Sequence, residues 1–129
     1  MQILISDELI NGTVSNQFNI EIEDEEITIE KLIEMRVCNE VENYNKKLPE
    51  YFQGLVEPTE SESTLNGYKL KKYKMIDAEK QVYLALAAFQ KNSYFVLVDD
   101  IQIENLNQKI RLDINSKISF IKLTPLVGG

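Results

Sequence analysis

Residues 2–22 read QILISDELINGTVSNQFNIEI, and this stretch decides the architecture. Residues 2–10 have strand character, Asn11-Gly12 is the strongest kind of two-residue hairpin signal, and residues 14–22 continue as a second strand. Phe18, Ile20 and Ile22 alternate with Asn19 and Glu21, so the second strand has one face to bury.

An acidic connector, Glu23-Asp24-Glu25-Glu26, leads to Thr28, which can cap a helix. Ile29, Leu32, Ile33 and Val37 then recur at helical spacing, and the pattern extends through Val41 and Tyr44, with Cys38 inside it. Residues 48–66 lose any clean period. They contain Pro49, Gly54, Pro58 and the run Thr59-Glu60-Ser61-Glu62-Ser63-Thr64, and read as an irregular, partly exposed insertion. Asn66-Gly67 is a second turn signal, followed by Lys69, Lys71, Lys72 and Lys74. Asp77 caps a second helix whose face carries Val82, Ala85, Leu86 and Phe89, and Asn92 can end it. Tyr94-Phe95-Val96-Leu97-Val98 is a continuous apolar run of the kind found in central strands. Asp99-Asp100 turns the chain, Ile101-Gln102-Ile103 pairs back, and residues 117–123 form the last strand. The pattern predicts one α+β domain over 1–129: a mixed sheet on a helix near 28–45, an insertion at about 48–92 holding a second helix near 77–91, and a tail at 124–129.

With 43% hydrophobic residues the chain can build a sizeable core, so it does not read as disordered. The net charge of −7 argues against a general nucleic-acid binder, which needs a basic surface, and against docking on an anionic membrane. An acidic surface serves solubility and suits basic partner surfaces. Met1 to Ile5 offers no basic leader and runs into the strand pattern, and no apolar stretch reaches membrane-spanning length, so the cytoplasm is the expected compartment.

The chain has no histidine, which excludes His-dependent triads and most zinc sites; no catalytic or metal-binding residue is predicted. Cys38 is the sole cysteine and no histidine can activate it, so a packed or inert thiol is expected. The acidic run 23–26 and Asp99-Asp100 lack the glycine-punctuated spacing of a calcium loop and read as solvated turns. The four lysines at 69–74 read as a solvated basic stretch, with modifier attachment or partner contact as the functional alternative.

Several segments carry a resemblance to the ubiquitin-like β-grasp proteins. Met1-Gln2-Ile3-Leu4-Ile5 is similar to the start of ubiquitin, Thr28-Ile29-Glu30 to the start of its helix, and Phe95-Val96-Leu97-Val98 with Ile101-Gln102-Ile103 to its third and fourth strands. The finish, ISFIKLTPLVGG over 118–129, resembles two groups: bacterial ubiquitin-like modifiers encoded with their own E1-like and E2-like enzymes, and the sulfur carriers of thiamin and molybdopterin synthesis. The insertion at 48–92 has no counterpart in ubiquitin or the short carriers, and the tail lacks the basic residues of ubiquitin's.

The resemblance implies a non-enzymatic protein modifier with no bound cofactor. An E1-like adenylating enzyme would spend ATP to activate Gly129, an E2-like enzyme would deliver it to a target protein, and a protease would process or release it. A carboxylate is a poor acyl donor until it becomes an acyl-adenylate, which a thiol or sulfur source can capture. Gly128 and Gly129 have no Cβ and can thread a narrow channel to the nucleotide. Pro125 lacks an N–H and should release the tail from the sheet, while Leu126 and Val127 could fill apolar pockets of the activating enzyme. Val96, Ile121 and Leu123 are candidates for a partner-binding patch, with core packing as the alternative for each. Two other functions stay open: a sulfur carrier in which Gly129 becomes a thiocarboxylate, and a non-covalent module that recruits partners through its sheet edge.

Overall fold

The amphipathic opening forms the predicted hairpin. In the computed structural model, which describes residues 1–71 and 75–123, β1 (Gln2–Leu9) pairs antiparallel with β2 (Val14–Glu21), bringing Ile3 opposite Ile20 and Ile5 opposite Phe18. The connection is longer than the two residues expected. It spans 10–13, with Leu9 N–H bonded to the Thr13 carbonyl at 2.9 Å and a register shift between Asp7 and Glu8. Gly12 sits at φ +90°, the left-handed region that favours glycine.

A three-residue strand, β3 (Glu26–Thr28), leads into α1 (Ile29–Lys47). The Thr28 hydroxyl accepts from the Lys31 N–H at 3.1 Å, which supplies the predicted cap. Leu48 closes the helix at φ +45°, its N–H donating to the Tyr44 carbonyl at 2.7 Å, and Pro49 prevents continuation.

The insertion is more regular than its sequence suggests. Residues 48–60 are largely irregular, but β4 (Ser61–Thr64) and β5 (Gly67–Leu70) form a small hairpin that turns at Leu65-Asn66, one residue earlier than the Asn66-Gly67 signal. Phe52 bridges to it, exchanging backbone hydrogen bonds of 2.7 and 2.9 Å with Tyr68. The helix α2 (Ala78–Gln90) begins at Asp77, whose carboxylate accepts from Lys80 N–H at 3.2 Å. It packs against α1. Phe52, Leu55 and Ile76 of the insertion are buried in the common core, each worth roughly 1.5–3 kcal/mol. The insertion is therefore part of the domain.

The remaining strands are β6 (Tyr94–Val98), β7 (Ile101–Ile103), β8 (Lys109–Arg111) and β9 (Lys117–Lys122). Asp99 and Asp100, at φ +49° and +68°, form the tight turn between β6 and β7. The pairing of β8 with β3 was not predicted. The main sheet runs β2-β1-β9-β6-β7. Its central pair, β1 and β9, is parallel, and the other pairs are antiparallel. A parallel pair cannot be joined by a tight turn, so the chain crosses the sheet before β9 completes it. Ile3, Ile5, Val96, Ile118 and Phe120 on one sheet face share a core with Ile29, Leu32, Ile33, Val37 and Val41 of α1. Among the described residues, no helix is long and apolar enough to cross a membrane.

Candidate functional site

The end of β9 is where the described chain meets the predicted working segment. Lys122 is the last strand residue, three positions before Pro125, so the ladder stops one residue short of the Leu123 expected. Pro125, Leu126, Val127, Gly128 and Gly129 lie outside the described residues, as do Lys72 and Lys74.

Of the proposed partner patch, Ile121 is half-buried and Leu123 is 40% exposed. Val96 is a correction: it is wholly buried, on the sheet face that packs against α1. Strand alternation puts Phe95 and Leu97 on the opposite face, both half-buried, with Phe95 directly across from Ile121. Leu4, on the same face of β1, is exposed. The outer apolar surface is thus built from Leu4, Phe95, Leu97 and Ile121.

Beneath the opposite face lies a feature the sequence reading missed. Arg36 of α1 is 0% exposed, yet it is charged. Its Nη1 and Nη2 donate to the two Asp7 carboxylate oxygens at 2.5 and 2.6 Å, and its Nε donates to Glu40 Oε1 at 2.5 Å. The Phe18 and Phe120 rings lie 5.1 and 4.4 Å from the guanidinium carbon, adding cation–π attraction. Burial works against the Arg36 charge, but Glu40 and Asp7 outweigh it and hold the guanidinium above its ordinary value. Burial also pushes Glu40 up, against the opposing pull of Arg36.

The cluster reaches the insertion. Glu40 Oε2 accepts from the Leu55 N–H at 3.1 Å. Lys122 Nζ donates to the Gly54 carbonyl at 2.8 Å. Burial lowers the Lys122 ammonium, opposed by the charge of Asp7. Two further ties fix the segment: Gln81 Nε2 donates to the Val56 carbonyl at 2.8 Å, and Asn45 both donates to and accepts from the Ile76 backbone at 3.0 and 2.8 Å.

Of the two readings for Cys38, packed or inert, the structure excludes packing. The thiol is exposed on α1 rather than packed. Partial burial and the charge of Glu34 raise its pKa, with Lys31 opposing, so it favours the unreactive thiol form at neutral pH. Among the described residues, no group of acidic and cysteine side chains is placed to hold a metal ion. An open groove on α2, lined by Thr59, Glu79, Lys80, Tyr83 and Leu84, has an apolar floor but no convergent polar groups of the kind that orient a small molecule.

The missed signal was present in the sequence. Arg36 falls seven residues after Ile29, four after Leu32 and three after Ile33, squarely on the apolar stripe. Asp7 continues the inward alternation of Ile3 and Ile5, and Lys122 that of Ile118 and Phe120. Charges at inward positions of three separate elements announce a buried ionic cluster. Comparison with known proteins finds no matching family model, no matching characterised protein and no matching solved structure.

Proposed function

We propose that the chain is a ubiquitin-like β-grasp protein modifier, activated at Gly129 by an E1-like adenylating enzyme and passed through an E2-like enzyme to a target protein. The observation that carries this reading is the place of β9. It lies at the sheet's centre, parallel to β1, and leads in sequence to Pro125 and Gly128-Gly129. An opening hairpin, a helix over one sheet face and a final strand inserted beside the first is the strand order of the β-grasp. In that arrangement a rigid sheet presents a terminus to another enzyme.

The chain itself supplies an acyl group, and the enzymes supply catalysis. ATP and the Gly129 carboxylate would give an acyl-adenylate and pyrophosphate. An enzyme cysteine thiolate would displace AMP to form a thioester, and a target amine would displace the thiolate to form an amide. Cys38 takes no part in these steps, since the chain has no histidine to activate its thiol.

The test compares the wild-type chain, a chain lacking residues 128–129, and Cys38→Ala, each incubated with ATP in extract of the source cells. Higher-mass adducts are expected with the wild type and with Cys38→Ala, and none with the truncated chain. Adducts that survive truncation, or that vanish with a folded Cys38→Ala, would overturn the proposal.

A further inference from the structure

The two hydrogen bonds that link the insertion to the charge cluster end on one peptide group. The Gly54 carbonyl takes Lys122 and the Leu55 N–H takes Glu40. The peptide dipole therefore has its oxygen on a cation and its hydrogen on an anion, the favourable sense at both ends. Glu40 continues to Arg36, Arg36 to Asp7, and Asp7 stands opposite Phe120 in the β1–β9 register, two residues before Lys122. The chain of contacts closes on itself: β9, insertion, α1, β1, β9.

The peptide is fixed in place by more than these bonds. A Cβ at Gly54 would stand 2.1 Å from the Phe52 ring, so the backbone lies directly against that ring. Phe52 is itself buried and meets Tyr44 edge-on at 5.4 Å. Among the described residues, Lys122 makes no salt bridge to a carboxylate; its ammonium donates to a backbone carbonyl. Burying a lysine stem to reach a carbonyl is a costly way to satisfy an ammonium, which a surface position would solvate for nothing.

We propose that Lys122 is a positioning residue that clamps the end of β9 to the inserted loop, so that the enzyme activating Gly129 meets the end of β9 and the insertion as one surface. Gly129 lies seven positions beyond Lys122, and a fully extended run of that length spans at most about 25 Å. An enzyme holding Gly129 is within that reach of the insertion. The inference rests on the proposed modifier function, and it assigns the insertion a role: recognition by the activating enzyme through a fixed relation to the end of β9.

The test uses the full chain with Lys122→Met, which keeps the stem and removes the donor, and Lys122→Arg, which restores one. Amide hydrogen exchange at Leu55 reads the clamp without any enzyme. Protection should fall at least tenfold in Lys122→Met and return to within threefold of wild type in Lys122→Arg; equal protection in all three chains would overturn the clamp. ATP–pyrophosphate exchange by the adenylating enzyme, purified by ATP-dependent capture on the wild-type chain, reads its consequence. Lys122→Met should raise the KM for the chain at least tenfold and leave kcat within twofold, and Lys122→Arg should recover KM. An unchanged KM would overturn the positioning role even if exchange at Leu55 changes. If the wild-type chain supports no pyrophosphate exchange at all, the modifier reading fails and takes the positioning role with it, while hydrogen exchange still decides whether the clamp exists.

Discussion

Replacing Arg36 with Met should be among the most damaging single changes in this protein. The substitution removes three charge-assisted hydrogen bonds of 2.5 to 2.6 Å and leaves Asp7 and Glu40 facing each other in the core. Removing one partner of a buried ionic group costs about 3–5 kcal/mol, because the remaining charges stay desolvated. With 129 residues and an unfolding entropy of about 2.1 cal/mol/K per residue, a loss of ~4 kcal/mol lowers the melting temperature by about 15 °C. The companion variant, Asp7→Leu with Arg36→Met and Glu40→Leu, removes all three charges and leaves mainly the Leu55 N–H without its acceptor. It should lie within about 2 kcal/mol of wild type. The defect in Arg36→Met should also shrink on acidification, because protonating Glu40, which burial already raises, removes its repulsion from the facing carboxylate. Urea unfolding of both variants at pH 7 and pH 5 measures all of this. An Arg36→Met chain within 1 kcal/mol of wild type, or a triple variant as unstable as the single one, would refute the reasoning.

Other expectations follow from single contacts. Burial holds Glu40 above the usual carboxylate range, so its contribution to stability is present at low pH and lost as pH rises through its folded value; a stability–pH profile of Glu40→Gln should lack that decline. Asp100, at φ +68°, is a non-glycine residue in the left-handed region, and Asp100→Gly should raise unfolding free energy by about 0.5–1 kcal/mol; a loss would contradict the turn geometry. The buried Tyr94 hydroxyl donates to the Ala85 carbonyl at 2.7 Å, so Tyr94→Phe should cost about 1 kcal/mol in urea unfolding, with an unchanged value arguing against that bond.

The elements legible in the sequence are those with enough length to show a period. The 2–22 hairpin, the stripe of α1 and the apolar run Tyr94–Val98 each placed a structural element within a few residues of its position. β3 and β8 are three residues each, too short for alternation to register, and their partners stand 81 to 85 positions apart in sequence. The hairpin β4–β5 hid because its first strand, Ser61-Glu62-Ser63-Thr64, is wholly polar and looks like loop. Val96 illustrates a different failure. In a five-residue apolar strand composition cannot say which positions face the core; the register with Phe120 and Ile103 decides it. The charge cluster was readable in principle, since Arg36 lies on the apolar stripe, but arginine is a residue type seldom fully buried and its position there carries no period of its own.

Mass spectrometry of the protein recovered from its native cells shows whether Gly129 serves as an acyl donor. Trypsin cuts after Lys122 and isolates Leu123-Thr124-Pro125-Leu126-Val127-Gly128-Gly129. The account predicts a fraction of this peptide joined through the Gly129 carbonyl to a side chain of another protein. A free carboxylate in every sample would contradict it and favour a non-covalent module. A terminal thiocarboxylate with no conjugates would contradict it in favour of a sulfur carrier.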